Sequence, residues 1–209
     1  MEDQMWRDLL LQVAILLVLF MFLFIHSIPQ KLFSKLRILT RRSNFEAKRH
    51  FVLGAQLLSQ ARSSSDRSLA QRAEAEADSA ISLDPNDAAF HILKALALEL
   101  QGFKTSALDS LDVALSPLAA KSMSDGERAE ALFKRAELRV AVIDGGGAVE
   151  DLVESVRLKG DNARAFGLLG ECYEKKGLKE EARKAYQDAL RVQPDYDLAR
   201  NALARFVSS

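Results

Sequence analysis

With one cysteine, Cys172, in 209 residues, the chain has no means of forming an internal disulfide, and a reducing compartment is the expected setting. A lone cysteine in a helical pattern reads as a small buried apolar residue. The three histidines, His26, His50 and His91, stand at no metal-ligand or triad spacing with Cys172 or a serine motif. The carboxylates come without a glycine elbow or a convergent acidic pair, so no enzyme is expected and no cofactor. Strands are equally lacking: nothing between Ser43 and Ser209 alternates with period two. Glycine and proline fall at boundaries in this region, which therefore reads as all-α.

Net charge is zero, but it is unevenly spread. Residues 1–49 hold eight Lys/Arg against four Asp/Glu (Glu2, Asp3, Asp8, Glu46), a net of +4, and the remaining 160 hold 21 against 25, a net of −4. A nucleic-acid partner is not expected, because that needs a basic face on the folded part.

What the first third does contain is an uncharged run, LLLQVAILLVLFMFLFIHSI, residues 9–28. As a helix it would reach roughly 30 Å, the thickness of a bilayer's hydrocarbon core. The acidic residues 1–8 and the absence of a small-residue cleavage site favour a signal anchor over a cleaved signal peptide. Lys31, Lys35, Arg37, Arg41, Arg42, Lys48 and Arg49 follow the run. The positive-inside rule then places them, and everything after them, in the cytosol, with 1–8 luminal or exterior. The basic juxtamembrane segment 29–49 also suits anionic lipid head groups. So strongly apolar a run favours the endoplasmic reticulum and secretory pathway, with a mitochondrial or chloroplast outer membrane as the alternative.

The folded part is expected over 50–209. SNFE (Ser43, Glu46) and SDGE (Ser124, Glu127) have capping-box spacing, and LDPND (83–87) closes one helix and opens another. In AFGLLGECYEKKGLKEEARKAYQDALRVQPD, Phe166, Leu169, Gly170 and Tyr173 share one face of a helix. KKGLK breaks it, then Ala182, Tyr186, Ala189 and Leu190 share a face of a second, which Pro194 ends. Counted from Ala163 as position 1, Phe166, Leu169, Gly170, Tyr173, Ala182, Tyr186, Ala189 and Pro194 occupy the eight signature positions of a 34-residue unit that resembles the tetratricopeptide repeat (TPR). Units 129–162, 88–121 and 54–87 continue the phase backward with weaker signatures, and 197–209 reads as a capping helix. Unit 129–162 has Arg139 where the first helix wants an aromatic. Its Gly145–Gly147 run lacks the Lys-Ser/Thr of a phosphate loop and reads as a turn.

The resemblance implies an α-solenoid, a right-handed superhelix of antiparallel helix pairs whose first helices line a concave groove. Helix geometry puts positions 2, 5, 9 and 12 of each first helix on one stripe. The groove candidates are Leu58, Ile92, Leu96, Glu99, Glu130, Phe133, Glu137, Glu171 and Glu174, apolar in the middle and acidic toward the last two units. The Lys/Asn/Arg set that this family uses to clamp chaperone C-termini is missing. The expected partner is a peptide or protein segment with apolar anchors and basic flanks, and self-association is also open. Together these make a membrane-anchored, non-enzymatic scaffold, or else a receptor or co-chaperone for protein import at an organelle surface.

Overall fold

In a computed structural model the described residues are 43–142 and 146–208, with eight more between Trp6 and Met21. The chain divides into two compact units, Met1–Phe45 and Glu46–Ser209. Of the first, the described residues up to Met21 are helical and exposed, Leu16 and Val18 among them. Among the described residues no helix is long and apolar enough to cross a membrane; the expected anchor, 9–28, lies for the most part outside them.

The second unit is built of helices, with no strand among its described residues. In order they are α1 (described from 43 to 64), α2 (Arg67–Leu83), α3 (Ala88–Gln101), α4 (Lys104–Ala114), a short 3-10 turn (Ala119–Ser122), α5 (Asp125–Val142), α6 (Ala148–Leu158), α7 (Ala163–Lys175), α8 (Lys179–Val192) and α9 (Asp197–Ser208). The starts of α2, α3, α5 and α7 carry side-chain caps. Asp66, Asp87 and Asn162 accept from the backbone N–H groups of Ser68, Ala89 and Arg164. At α5 the Ser124–Glu127 pair closes reciprocally: the Ser124 N–H donates to the Glu127 carboxylate at 2.8 Å, and the Glu127 N–H to Ser124 Oγ at 3.3 Å. The Ser124 N–H, together with the Ser124 hydroxyl that donates to the same carboxylate at 2.7 Å, draws the Glu127 carboxyl below its ordinary pKa. Within two pairs the same turn recurs. Gly102 and Gly177 take the left-handed conformation, and the next residue's N–H donates back to Leu98 and Tyr173, both at 2.9 Å.

Two boundaries differ from the sequence expectation. Ser43, read as a cap, is itself helical, and α1 continues upstream of Gly54 where the first repeat unit was placed. Residues 122–128, read as an insertion, hold the end of the 3-10 turn and the first turn of α5. Ser122 Oγ there accepts from the Ala88 N–H at 3.0 Å, satisfying a donor at the open start of α3.

Packing explains the repeat. From α2 onward each helix contacts chiefly the next along the chain. Position 20 of every unit is alanine (Ala73, Ala107, Ala148, Ala182), each with no exposed surface. Position 27 is Ala80, Ala114, Ser155 and Ala189, equally buried. Ser155 satisfies its hydroxyl on the Ala129 carbonyl at 2.8 Å, which ties α6 to α5. Two turns apart on one face, these small residues let the second helix of each pair approach its neighbours closely.

Between them, position 24 carries the largest fully buried side chains, Leu111, Leu152 and Tyr186. Position 8 of the first helix is sized to match: Ala95 shares a cluster with Leu111, Ala136 with Leu152, and Gly170 faces Tyr186. A Cβ at Gly170 would stand 2.6 Å from the Tyr186 ring, and the ring is held because its hydroxyl donates to Glu174 at 2.7 Å. Gly170→Ala is therefore expected to cost about 1–2 kcal/mol in urea unfolding, overpacking outweighing the gain in helix propensity. Gly126→Ala, in open space at the start of α5, is expected to be neutral or stabilising by up to about 1 kcal/mol. Equal effects would contradict the size match.

Candidate functional site

The first helices of the pairs line a groove of about 950 Å³. Phe51, Ala55 and Leu58 come from α1, Ala89, Ile92 and Leu96 from α3, and Glu130, Phe133, Lys134 and Glu137 from α5, with Lys159 and Arg164 at the far edge. A recess of about 190 Å³ shares Phe133, Glu137 and Arg164 with it and adds Leu168, Glu171, Tyr196 and Leu198. Six of the groove candidates, Leu58, Ile92, Leu96, Glu130, Phe133 and Glu137, thus come together on one surface, and Glu171 lies in the adjoining recess. Leu58 and Phe133 are 4 % and 6 % exposed and contribute only edges, so the open apolar floor is chiefly the half-buried Ile92 and Leu96.

Charge is arranged differently from the expected acidic surface. Lys134 donates to Glu99 and to Glu137, both at 3.0 Å. Burial alone would lower its pKa, but these two carboxylates outweigh it and hold the ammonium above the usual lysine range. Arg164 reaches Glu137 at 2.7 Å and lies over the Phe133 ring at 5.4 Å. Lys159 takes Glu130 at 2.9 Å. Glu171, in the recess, forms no ion pair among the described residues, and burial pushes its pKa up; Glu127, at the edge of the groove, is taken by Ser124. The net result is an apolar floor rimmed by neutralised pairs.

Glu174 lies outside both cavities. Its carboxylate accepts from the Tyr186 hydroxyl and pairs with Arg205 of α9 at 3.2 Å, so it joins α7 to α8 and α9 and does not line the groove. Burial, followed by that hydrogen bond, pushes the Tyr186 phenol far above its ordinary pKa. Sequence reasoning missed Lys134, Lys159 and Tyr196. Lys134 stands at position 6 of its unit, off the 2, 5, 9 and 12 stripe, and reaches Glu99 at position 12 of the unit before; its i, i+3 spacing to Glu137 is the signal that would have found it.

Behind the groove, α5 is fixed by a charge network. Arg135 donates to both oxygens of Asp151 and to Asp112 at 2.9 Å. Arg139 reaches Asp151 at 2.8 Å and the Gly147 carbonyl at 3.0 Å. This is the physical content of Arg139 at an aromatic position: its guanidinium fills the space beside α6 and neutralises Asp151, whose side chain is 5 % exposed. Asp112 is half-exposed.

The other chemistry-bearing residues have structural partners. His91 contacts the Pro85 carbonyl through Nε2 at 2.9 Å, His50 Nδ1 lies 2.6 Å from Glu76, and Cys172 is buried, its thiol pKa pushed up by that burial. His26 lies outside the described residues. Among the described residues no group of three or more His, Cys, Asp or Glu is placed to hold a metal.

No family model matches the chain, and neither does any curated protein. Solved structures do. The chain is similar to MamA, at 23 % identity and a TM-score of 0.55 over 68 % of this chain and 78 % of that one. It is similar to a chain of the APC/C hetero-tetramer Cut9–Hcn1, at 16 % and 0.63 over 76 % of this chain and 29 % of that one. PilF of Pseudomonas aeruginosa follows at 16 % and 0.61, over 79 % and 69 %. These are TPR-containing proteins, and the fold of this chain is TPR-like.

The network yields a contrast. Asp151→Asn leaves two guanidinium groups facing an uncharged amide and is expected to cost about 3 kcal/mol by chemical denaturation. Asp112→Asn, at the solvated end, is expected to cost less than about 1 kcal/mol. Similar costs would show that Asp151 is not the buried centre of the network.

Proposed function

We propose that this chain is a non-enzymatic adaptor, held in a membrane by residues 9–28, whose groove takes an apolar segment of a partner protein on the cytosolic side. The observation that carries the reading is the open apolar floor of Ile92 and Leu96 inside a cavity of about 950 Å³. An apolar floor set in a concave groove suits an apolar segment of a partner. The TPR-like fold supports a protein-binding role. With Glu99, Glu130 and Glu137 already paired, the partner's apolar anchors supply most of the affinity. A basic flank finds its carboxylate at Glu171. The apolar, uncharged run 9–28 and the seven cations that follow it support the anchor and its orientation, with the endoplasmic reticulum as the favoured membrane.

The groove is tested by selecting binders from a random peptide library on the detergent-solubilised chain. Selected peptides are expected to carry two or three apolar anchors, and Leu96→Gln to weaken them roughly tenfold. Val113→Gln on the exposed side of α4 is expected to leave them unchanged, with thermal unfolding checking that both variants fold. Binders without apolar anchors, or indifferent to Leu96→Gln, would refute the groove. The anchor is tested separately. Alkaline carbonate is expected to leave the chain in the membrane pellet, and protease to remove a C-terminal tag from intact vesicles; extraction or protection would contradict the reading.

A further inference from the structure

In units 88–121 and 163–196 the residues just before position 1 are turns, Asn86–Asp87 and Asp161–Asn162, and α5 starts only four residues before Ala129. Here, by contrast, α1 is already helical at Ser43, eleven residues before Gly54. One side of this extension is used by the fold. Ala47 is 1 % exposed and packs with Ala80 and Phe90, and His50 meets Glu76. The opposite side carries Lys48, Arg49, Val52 and Leu53, paired at i, i+4 so that two cations and two aliphatics share one face. Val52 is 53 % exposed and Leu53 40 %. The acids nearby are committed: Glu46 pairs with Arg49 at 3.2 Å, and Glu76 takes His50.

We infer that this face of α1 rests on the anionic surface of the bilayer that holds the chain, Val52 and Leu53 entering the head-group boundary and Lys48 and Arg49 reaching lipid phosphates and carboxylates. The inference builds on the anchor reading above. Three observations favour lipid over a second protein surface. Long basic stems beside exposed aliphatics are the side-chain set that seats a helix in a membrane interface. From 31 to 49 the sequence holds seven Lys/Arg and a single acid, Glu46, a charge complement to anionic lipid. A stacking helix would need an apolar surface along all of α1, yet farther along the same side stand Gln56, Gln60 and Ser63, all exposed. The corresponding residues of the last unit, Ala165, Leu169 and Cys172, are buried. Only nineteen residues separate Ile28 from Lys48, a tether of at most about 65 Å, which keeps this face at high effective concentration beside the bilayer.

The test uses the full chain reconstituted in vesicles of phosphatidylcholine alone or with phosphatidylserine. An environment-sensitive NBD fluorophore is placed at Val52→Cys or, as a control, at Leu178→Cys, each in a Cys172→Ala background. The position-52 emission is expected to shift to the blue in the serine-lipid vesicles only, and to lose that shift when Lys48→Glu and Arg49→Glu are added. The position-178 label is expected to report water throughout. A position-52 label that reports water in both vesicles overturns the inference, as does a shift equal in both. A shift that grows with protein concentration in lipid-free detergent overturns it too, assigning the face to a second copy. Carbonate extraction on the same samples reads the anchor independently, so loss of the anchor and loss of the α1 contact are separate results.

Discussion

Close approach of helices through alanine is the constraint on which the rest of this fold depends. Ala73, Ala107, Ala148 and Ala182 recur at one position of each unit with no exposed surface. Alanine loses no side-chain rotamer freedom on burial and keeps the backbone helical. With the second helices drawn in this way, the space left between the pair has a fixed size. In the last three units it is filled by one large side chain, matched by Ala95, Ala136 or Gly170 across the pair, whereas the first unit has the buried Ala77 there. Each unit can then differ in detail, leucine in two and tyrosine in the last, without changing its phase.

That frame determines what the groove presents. The first helices carry their packing residues on the sides turned to neighbours, Phe133 among them, and leave Ile92 and Leu96 on the open side. Around this floor the cations Lys134, Lys159 and Arg164 neutralise the carboxylates of Glu99, Glu130 and Glu137 across helix and unit boundaries. Such half-exposed pairs add little stability. Their consequence is for recognition: an incoming cation must compete with one already in place, whereas an apolar anchor meets no such competition.

Much of this was legible in the sequence, and for identifiable reasons. Rigid spacing with a packing reason at each step made the last unit readable, and Ser124–Glu127 and Asp87 announced their helices because a cap needs a particular side chain at a particular distance. Side-chain partnerships were not legible. Glu174 sits on the expected stripe by helix geometry, yet its carboxylate goes to Tyr186 and Arg205, since a flexible side chain follows its nearest donor and not the stripe. Arg139 read as a departure from the pattern because Asp151, its reason for being there, lies on another helix. The extension of α1 was hidden because Gly54, at the expected start of a unit, lies inside the helix, where its missing side chain makes room for Leu93 and the Ala73 carbonyl.

Native-state hydrogen exchange across the folded unit tests the stacking most directly. Helices that contact partners on both sides open only at the expense of two interfaces. The account predicts that amides of α3 through α7 exchange slowest and with a common opening free energy, while α9 and the upstream part of α1 exchange first. Slowest exchange at either end, or independent fast exchange in α5 and α6, would contradict it.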